Sequence, residues 1–119
     1  MTTVEQFLDA LAQVESANNP EAWGDGGRAM GRWQVHPARL FDEARRYDLF
    51  PNNSDTWDGY VSRVLIRMYN HYATRIEART IAMYWHLGHW VQPGEWGWDI
   101  QYETKFNDAM ARALGQAIT

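Results

Sequence analysis

The chain has 119 residues, 45% hydrophobic and 22% charged, with a formal charge of -4 and a single lysine, Lys105, among eleven Lys and Arg. That length suits one domain around one core, the absence of a run of eighteen apolar residues argues against a bilayer span, and an acidic balance without a basic run argues against an electrostatic grip on nucleic acid or anionic lipid. The absence of cysteine excludes disulfides, thiolate catalysis and Cys-ligated zinc, and neither a cofactor nor a metal is expected.

The opening segment, MTTVEQFLDALAQVES, carries acidic residues where a secretory signal starts with basic ones, so no export signal is expected. Thr2 with Glu5, or Thr3 with Gln6, makes a capping box, and Val4, Phe7, Leu8, Leu11 and Val14 repeat at helical spacing up to the Asn18-Asn19-Pro20 breaker. Residues 24–31 hold four glycines and predict a loop or a small β-hairpin, with Arg32-Trp33-Gln34-Val35 as a short extended segment; any β-structure is expected within residues 24–36. His36-Pro37 opens a second helix with Leu40, Phe41 and Ala44 inward, ending before Pro51. Asn52, Asn53, Ser54 and Asp55 make a turn and an N-cap for the longest helix, which presents Trp57, Val61, Val64, Leu65, Met68, Tyr72 and Ile76 on one face. A shorter helix through Ile81, Ala82 and Trp85 stops at Gly88, an aromatic loop from His89 to Trp98 follows, and a last helix carries Tyr102, Phe106, Met110 and Leu114. The expectation is one mainly α domain over residues 1–119, with about five helices and a small hairpin, acting as a monomer.

One residue stands out on the first helix. At about 100° per residue, with Val4 at zero, Leu8 falls near 40°, Leu11 near 340° and Glu15 near 20°. Glu15 therefore sits in the middle of the apolar stripe, where desolvation disfavours its charged form and raises its pKa, the condition for a general acid near neutral pH. The plainer alternatives are that Glu15 pairs with an arginine or that its end of the helix emerges into water.

The stretch Glu15-Ser16-Ala17-Asn18-Asn19-Pro20 resembles the Glu-Ser-x-x-Asn-Pro signature of soluble lytic transglycosylases, members of the lysozyme-like superfamily. Gly27-Arg28-Ala29-Met30-Gly31-Arg32-Trp33-Gln34-Val35-His36-Pro37 resembles the second block of that family, and the longer Gly-Asp-Gly-Gly-Arg-Ala-Met-Gly form resembles its short phage-type members. Met83-Tyr84-Trp85-His86-Leu87-Gly88 falls where the family has Ala-Tyr-Asn-Ala-Gly, departing from it at Trp85 and by one extra residue before Gly88. Arg32 and Trp33 also replace the family's Leu-Met before the retained Gln34. The resemblance implies a lysozyme-like fold, a catalytic Glu15 that protonates the β-1,4 bond between N-acetylmuramic acid and N-acetylglucosamine in peptidoglycan, and a Tyr84 placed near that glutamate. In a lytic transglycosylase the same residue then acts as base while the muramic 6-hydroxyl closes a 1,6-anhydro ring.

A hydrolysing relative needs a second carboxylate. Asp25 is the candidate, although the chemistry of an Asp-Gly turn alone explains the residue; Glu95 and Asp99 are weaker ones. Ser16 is a candidate to orient the acid or a substrate acetamide, or else to bond the helix end, and Gln34 is a candidate sugar ligand. Trp33, Trp90, Trp96 and Trp98 lie in loops and are stacking candidates, whereas Trp57 and Trp85 fall on apolar helix faces and read as core. His86 and His89 are separated by a helix-ending glycine and do not read as a metal pair, and no nucleophile-elbow motif supports Ser-His-Asp catalysis. The partner expected is the peptidoglycan glycan strand, met at the cell wall after holin-type release, on a virion or through a secretion machine; chitin-type hydrolysis and non-catalytic glycan binding are the alternatives.

Overall fold

A computed structural model describes residues 2–118. Its element order is α1 (Val4–Ser16), β1 (Trp23–Gly24), β2 (Ala29–Met30), α2 (Pro37–Arg45), α3 (Trp57–Tyr72), α4 (Ala78–Leu87) and α5 (Ile100–Ile118). Among the described residues the fold is mainly helical with one two-stranded antiparallel sheet, and no helix is long and apolar enough to cross a membrane.

Thr3 is the residue that caps α1. Its hydroxyl accepts from the Gln6 N–H at 3.2 Å, while the Gln6 side chain accepts from the Thr3 N–H at 2.9 Å. Phe7, Ala10, Leu11 and Ala12 bury the inner face of the helix, which packs chiefly along α5 and also against α3. Phe7 meets Tyr69 of α3 at 4.5 Å between centroids and Phe106 of α5 at 5.8 Å edge-on. Burial of such rings is the main stabilising contribution in a chain without cross-links. The helix ends at Ala17, which adopts a left-handed conformation and returns its N–H to the preceding turn.

The hairpin begins at Trp23, one residue earlier than the sequence predicts, with Trp23 opposite Met30 and Gly24 opposite Ala29. Residues 32–35 are not an extended segment: Gly31 to Gln34 form a turn, and only Val35 bridges back to Met30. Gly31 is required there. Its φ is +84°, and a Cβ would stand 2.7 Å from the Trp57 ring and 2.8 Å from an Asp58 oxygen.

Three further expectations give way to packing. In α2 the inward residues are Leu40, Glu43 and Ala44, while Phe41 is exposed; helix geometry puts Glu43, three residues after Leu40, on the inner face. The N-cap of α3 is Thr56, whose hydroxyl accepts from the Gly59 N–H, rather than any residue of 52–55. At 16 residues α3 is shorter than the 19 residues of α5, because the chain turns from Ala73 and leaves Ile76 outside the helix. Leu114, at the far end of α5, is partly exposed. The last turn of α4 closes on Gly88 at φ +83°, as its sequence position predicts.

Candidate active site

Glu15 occupies the last turn of α1 with its side chain 12% exposed. The Tyr102 hydroxyl, from the first turn of α5, donates to Glu15 Oε2 at 2.6 Å. Burial pushes the Glu15 carboxyl up from 4.5 to about 7, against the opposing effect of the Tyr102 hydrogen bond, which favours the ionised form. Tyr102 itself is held well above its ordinary range by burial and by the adjacent carboxyl, so the proton between them stays on the phenol. With Oε2 accepting from Tyr102, the proton of the acid form belongs on Oε1, which is then the donor.

Glu15 lines a cleft of about 650 Å³ whose wall also includes Asp25, Gln34, His36, Arg39, Trp85 and His86. The hairpin turn brings Asp25 to this wall and the turn after the hairpin brings Gln34, and both are held at positive φ, +51° and +47°. Such conformations cost about 1–3 kcal/mol each in a residue other than glycine and cluster at functional sites. Asp25 is largely exposed and pairs with the His36 imidazole at 2.8 Å. The Gln34 amide donates to the carbonyls of Ala22 and Gly31 at 3.2 and 2.9 Å, fixing the turn while keeping the residue on the cleft.

The other sequence candidates fall elsewhere. Ser16 lies outside the cleft wall: its hydroxyl donates to the Arg32 carbonyl at 2.7 Å and accepts from the Asn19 N–H at 2.9 Å, tying the end of α1 to the turn after the hairpin. Trp33 is not a stacking surface. The turn folds its ring into the core at 7% exposure, where its indole N–H donates to the Leu8 carbonyl at 2.9 Å. Trp85 is buried, donates to the Trp33 carbonyl at 3.0 Å and still edges the cleft. Trp57, partly buried against the core, bonds the Met30 carbonyl. Trp90 stacks face to face on Tyr84 at 3.9 Å and lines a separate hollow of about 570 Å³ with Tyr72 and Arg75. Trp96 is 98% exposed, and Trp98 donates to Glu103 at 3.1 Å. Glu95 accepts from the Gln92 N–H within its loop.

Tyr84 does not fill the role that its motif position implies. Its hydroxyl donates to Glu43 Oε1 at 2.6 Å, and the tyrosine on Glu15 is Tyr102. Glu43 is fully buried, and also receives the Tyr47 hydroxyl at 2.7 Å and the Arg39 guanidinium at 3.0 Å. Burial and the bond to Glu43 push the Tyr84 hydroxyl up to about 12. This cluster fastens α2 to α4, and Arg39 belongs both to it and to the cleft wall.

His86, at the end of α4, stacks on the Tyr102 ring at 3.9 Å and 7°. Its Nδ1 lies 4.0 Å from Glu15 Oε2 and its Nε2 3.2 Å from Asp99 Oδ2. Because opposite ring nitrogens face the two acids, no single ion reaches all three groups, and among the described residues no cluster of three or more His, Asp or Glu is arranged to hold a metal. In the sequence Tyr102 reads as part of a core stripe, and His86 as a member of the 83–88 block and of a histidine pair that does not read as a metal site. The signal available for Tyr102 was its hydroxyl, since a tyrosine on a buried helix face needs a polar partner. Comparison of the chain with protein-family models, curated proteins and solved structures finds no match.

Proposed function

We propose that the protein cleaves the β-1,4 glycosidic bond between N-acetylmuramic acid and N-acetylglucosamine in bacterial peptidoglycan, with Glu15 as general acid and then base. The observation that carries this reading is the setting of Glu15: a carboxyl whose pKa burial raises to about 7, so that it can both hold and release a proton near neutral pH, gripped at one oxygen by Tyr102 on the wall of an open cleft. A proton held this way suits delivery to a glycosidic oxygen, where protonation of the leaving group is the demanding step. The two sequence blocks that resemble lytic transglycosylases support the substrate assignment, since one supplies Glu15 and the other supplies Ala29, Gln34, Val35 and His36 on the same wall. In this reading the mainly helical chain with its small hairpin is a lysozyme-like domain acting on glycan strands at the cell wall.

Two chemical routes share this acid. As a lyase, Glu15 recovers a proton from the muramic 6-hydroxyl, which attacks C1 and closes a 1,6-anhydro ring. As a hydrolase, Asp25 activates water or faces the sugar cation, and the product carries a reducing end. Digestion of purified peptidoglycan followed by mass spectrometry separates the routes, because the reducing product is one water heavier. Glu15→Gln is expected to fold and to lose clearing of peptidoglycan, and clearing by that variant refutes the proposal. Turnover of chitin oligomers without peptidoglycan cleavage would shift the substrate class, and pull-down of glycan without new chain ends would make the domain a binding module.

A further inference from the structure

The proposed acid has a neighbour that the reaction as written does not use. His86 is held on both sides: its ring lies flat on Tyr102, and Asp99 faces its Nε2 at 3.2 Å. Asp99 is itself anchored, accepting the Tyr102 backbone N–H at 3.0 Å as α5 begins. That bond, followed by the contact with His86, holds the Asp99 carboxyl below its ordinary range. A carboxylate only accepts, so Nε2 carries a hydrogen in either protonation state of the ring. The tautomer of the neutral ring is thereby fixed, and Nδ1 presents a lone pair toward Glu15 Oε2 across 4.0 Å.

Oε2 already accepts from Tyr102. Two facing acceptors with no charge between them are compatible while Glu15 is an acid protonated on Oε1. Once Glu15 has given up its proton, a carboxylate faces a lone pair in a partly desolvated corner, and a proton on Nδ1 turns that opposition into attraction. We propose that His86, oriented by Asp99 and Tyr102, is a positioning residue that protonates at Nδ1 when Glu15 ionises and steadies the carboxylate until Glu15 recovers its own proton. The proton on Nδ1 comes from solvent, to which the His86 side chain is 32% exposed, and returns there as Glu15 is reprotonated. The 4.0 Å separation closes by a small movement of either side chain, and such contacts are often long before substrate binds.

The inference rests on the reading of Glu15 as the acid, and it holds for the lyase and the hydrolase alike. The remaining charged or titratable groups on the cleft wall are Asp25 and His36 on the hairpin side, paired with each other, and Arg39 and Asp42 of α2, paired with Glu43 and Arg45.

His86→Phe keeps an aromatic ring on Tyr102 and removes both nitrogens. The readout is the carboxyl carbon signal of Glu15, followed by NMR as pH is varied in the substrate-free protein. In the parent the Glu15 signal is expected to move in more than one step, as a site coupled to a second proton does. In His86→Phe a single step is expected, displaced to higher pH by about one unit, or tenfold in proton affinity. The alkaline limb of the pH profile for kcat should move the same way, with KM little changed. Asp99→Asn, which keeps an acceptor for the Tyr102 N–H, should reproduce part of the shift even if His86→Phe does not fold. A Glu15 titration unchanged in both variants, or in the one that folds, overturns the inference. Because this readout needs no turnover, it is independent of clearing by Glu15→Gln, which tests the underlying function.

Discussion

Replacing Glu15 by glutamine is expected to stabilise the protein as pH rises, even as it removes the acid. Burial raises the Glu15 carboxyl from 4.5 to about 7, so the folded chain binds a proton that the unfolded chain releases between those values. The stability contributed by that proton is fully present below about 4.5, declines as pH rises through the interval and is gone above about 7. Each tenfold difference in proton affinity is about 1.4 kcal/mol, so the rise corresponds to roughly 3 kcal/mol. Glutamine is neutral and nearly isosteric, and its carbonyl still accepts from Tyr102. The variant should therefore match the parent near pH 4 and exceed it at pH 8 by up to about 3 kcal/mol, on the order of 10 °C in Tm for a domain of this size. Thermal melts of the two proteins across pH 4 to 8 measure the difference directly, since the two chains differ at no other residue. A difference that stays flat with pH, or that grows toward acid, refutes the desolvation argument and with it the physical basis for Glu15 as a neutral-pH acid.

Tyr102→Phe removes a hydrogen bond that favours the ionised form of Glu15, so the alkaline limb of the activity profile should move above its parental position while stability falls by about 1 kcal/mol; pH-rate profiles in a turbidity assay and urea melts check the two parts. Glu43→Ala should be the more damaging substitution, because it leaves the Arg39 guanidinium and the Tyr47 and Tyr84 hydroxyls without their buried acceptor. A loss of about 3–5 kcal/mol is expected, read as a fall in the urea midpoint.

What the sequence made legible was whatever depends on near neighbours. The α1 stripe placed Glu15 on the inner face because helical periodicity is a local property, and Gly88 marked the end of α4 for the same reason. Applied to α2, the same wheel puts Glu43 beside Leu40 and Ala44 on the buried side, but no motif drew attention to it, and Phe41 looked the better core residue. Trp33 was misplaced because a glycine-rich segment suggests exposure, whereas the turn at Gly31 carries the ring back over α1. The partners of the acid were out of reach in a stronger sense. The bond from Tyr102 to Glu15 spans 87 residues and the contact between His86 and Asp99 depends on how the aromatic loop returns to α5; neither leaves a periodic trace.

The pairing of Glu15 with Tyr102 also ties the chemistry to the docking of two helices. The carboxyl belongs to α1 and its hydrogen-bond donor to α5, the helix along which α1 chiefly packs. The raised pKa comes from burial and not from either helix alone, so an opening that parts α5 from α1 lets water reach the carboxyl and returns it toward its ordinary value. Proton-donating power near neutral pH is thereby coupled to the integrity of that helix pair.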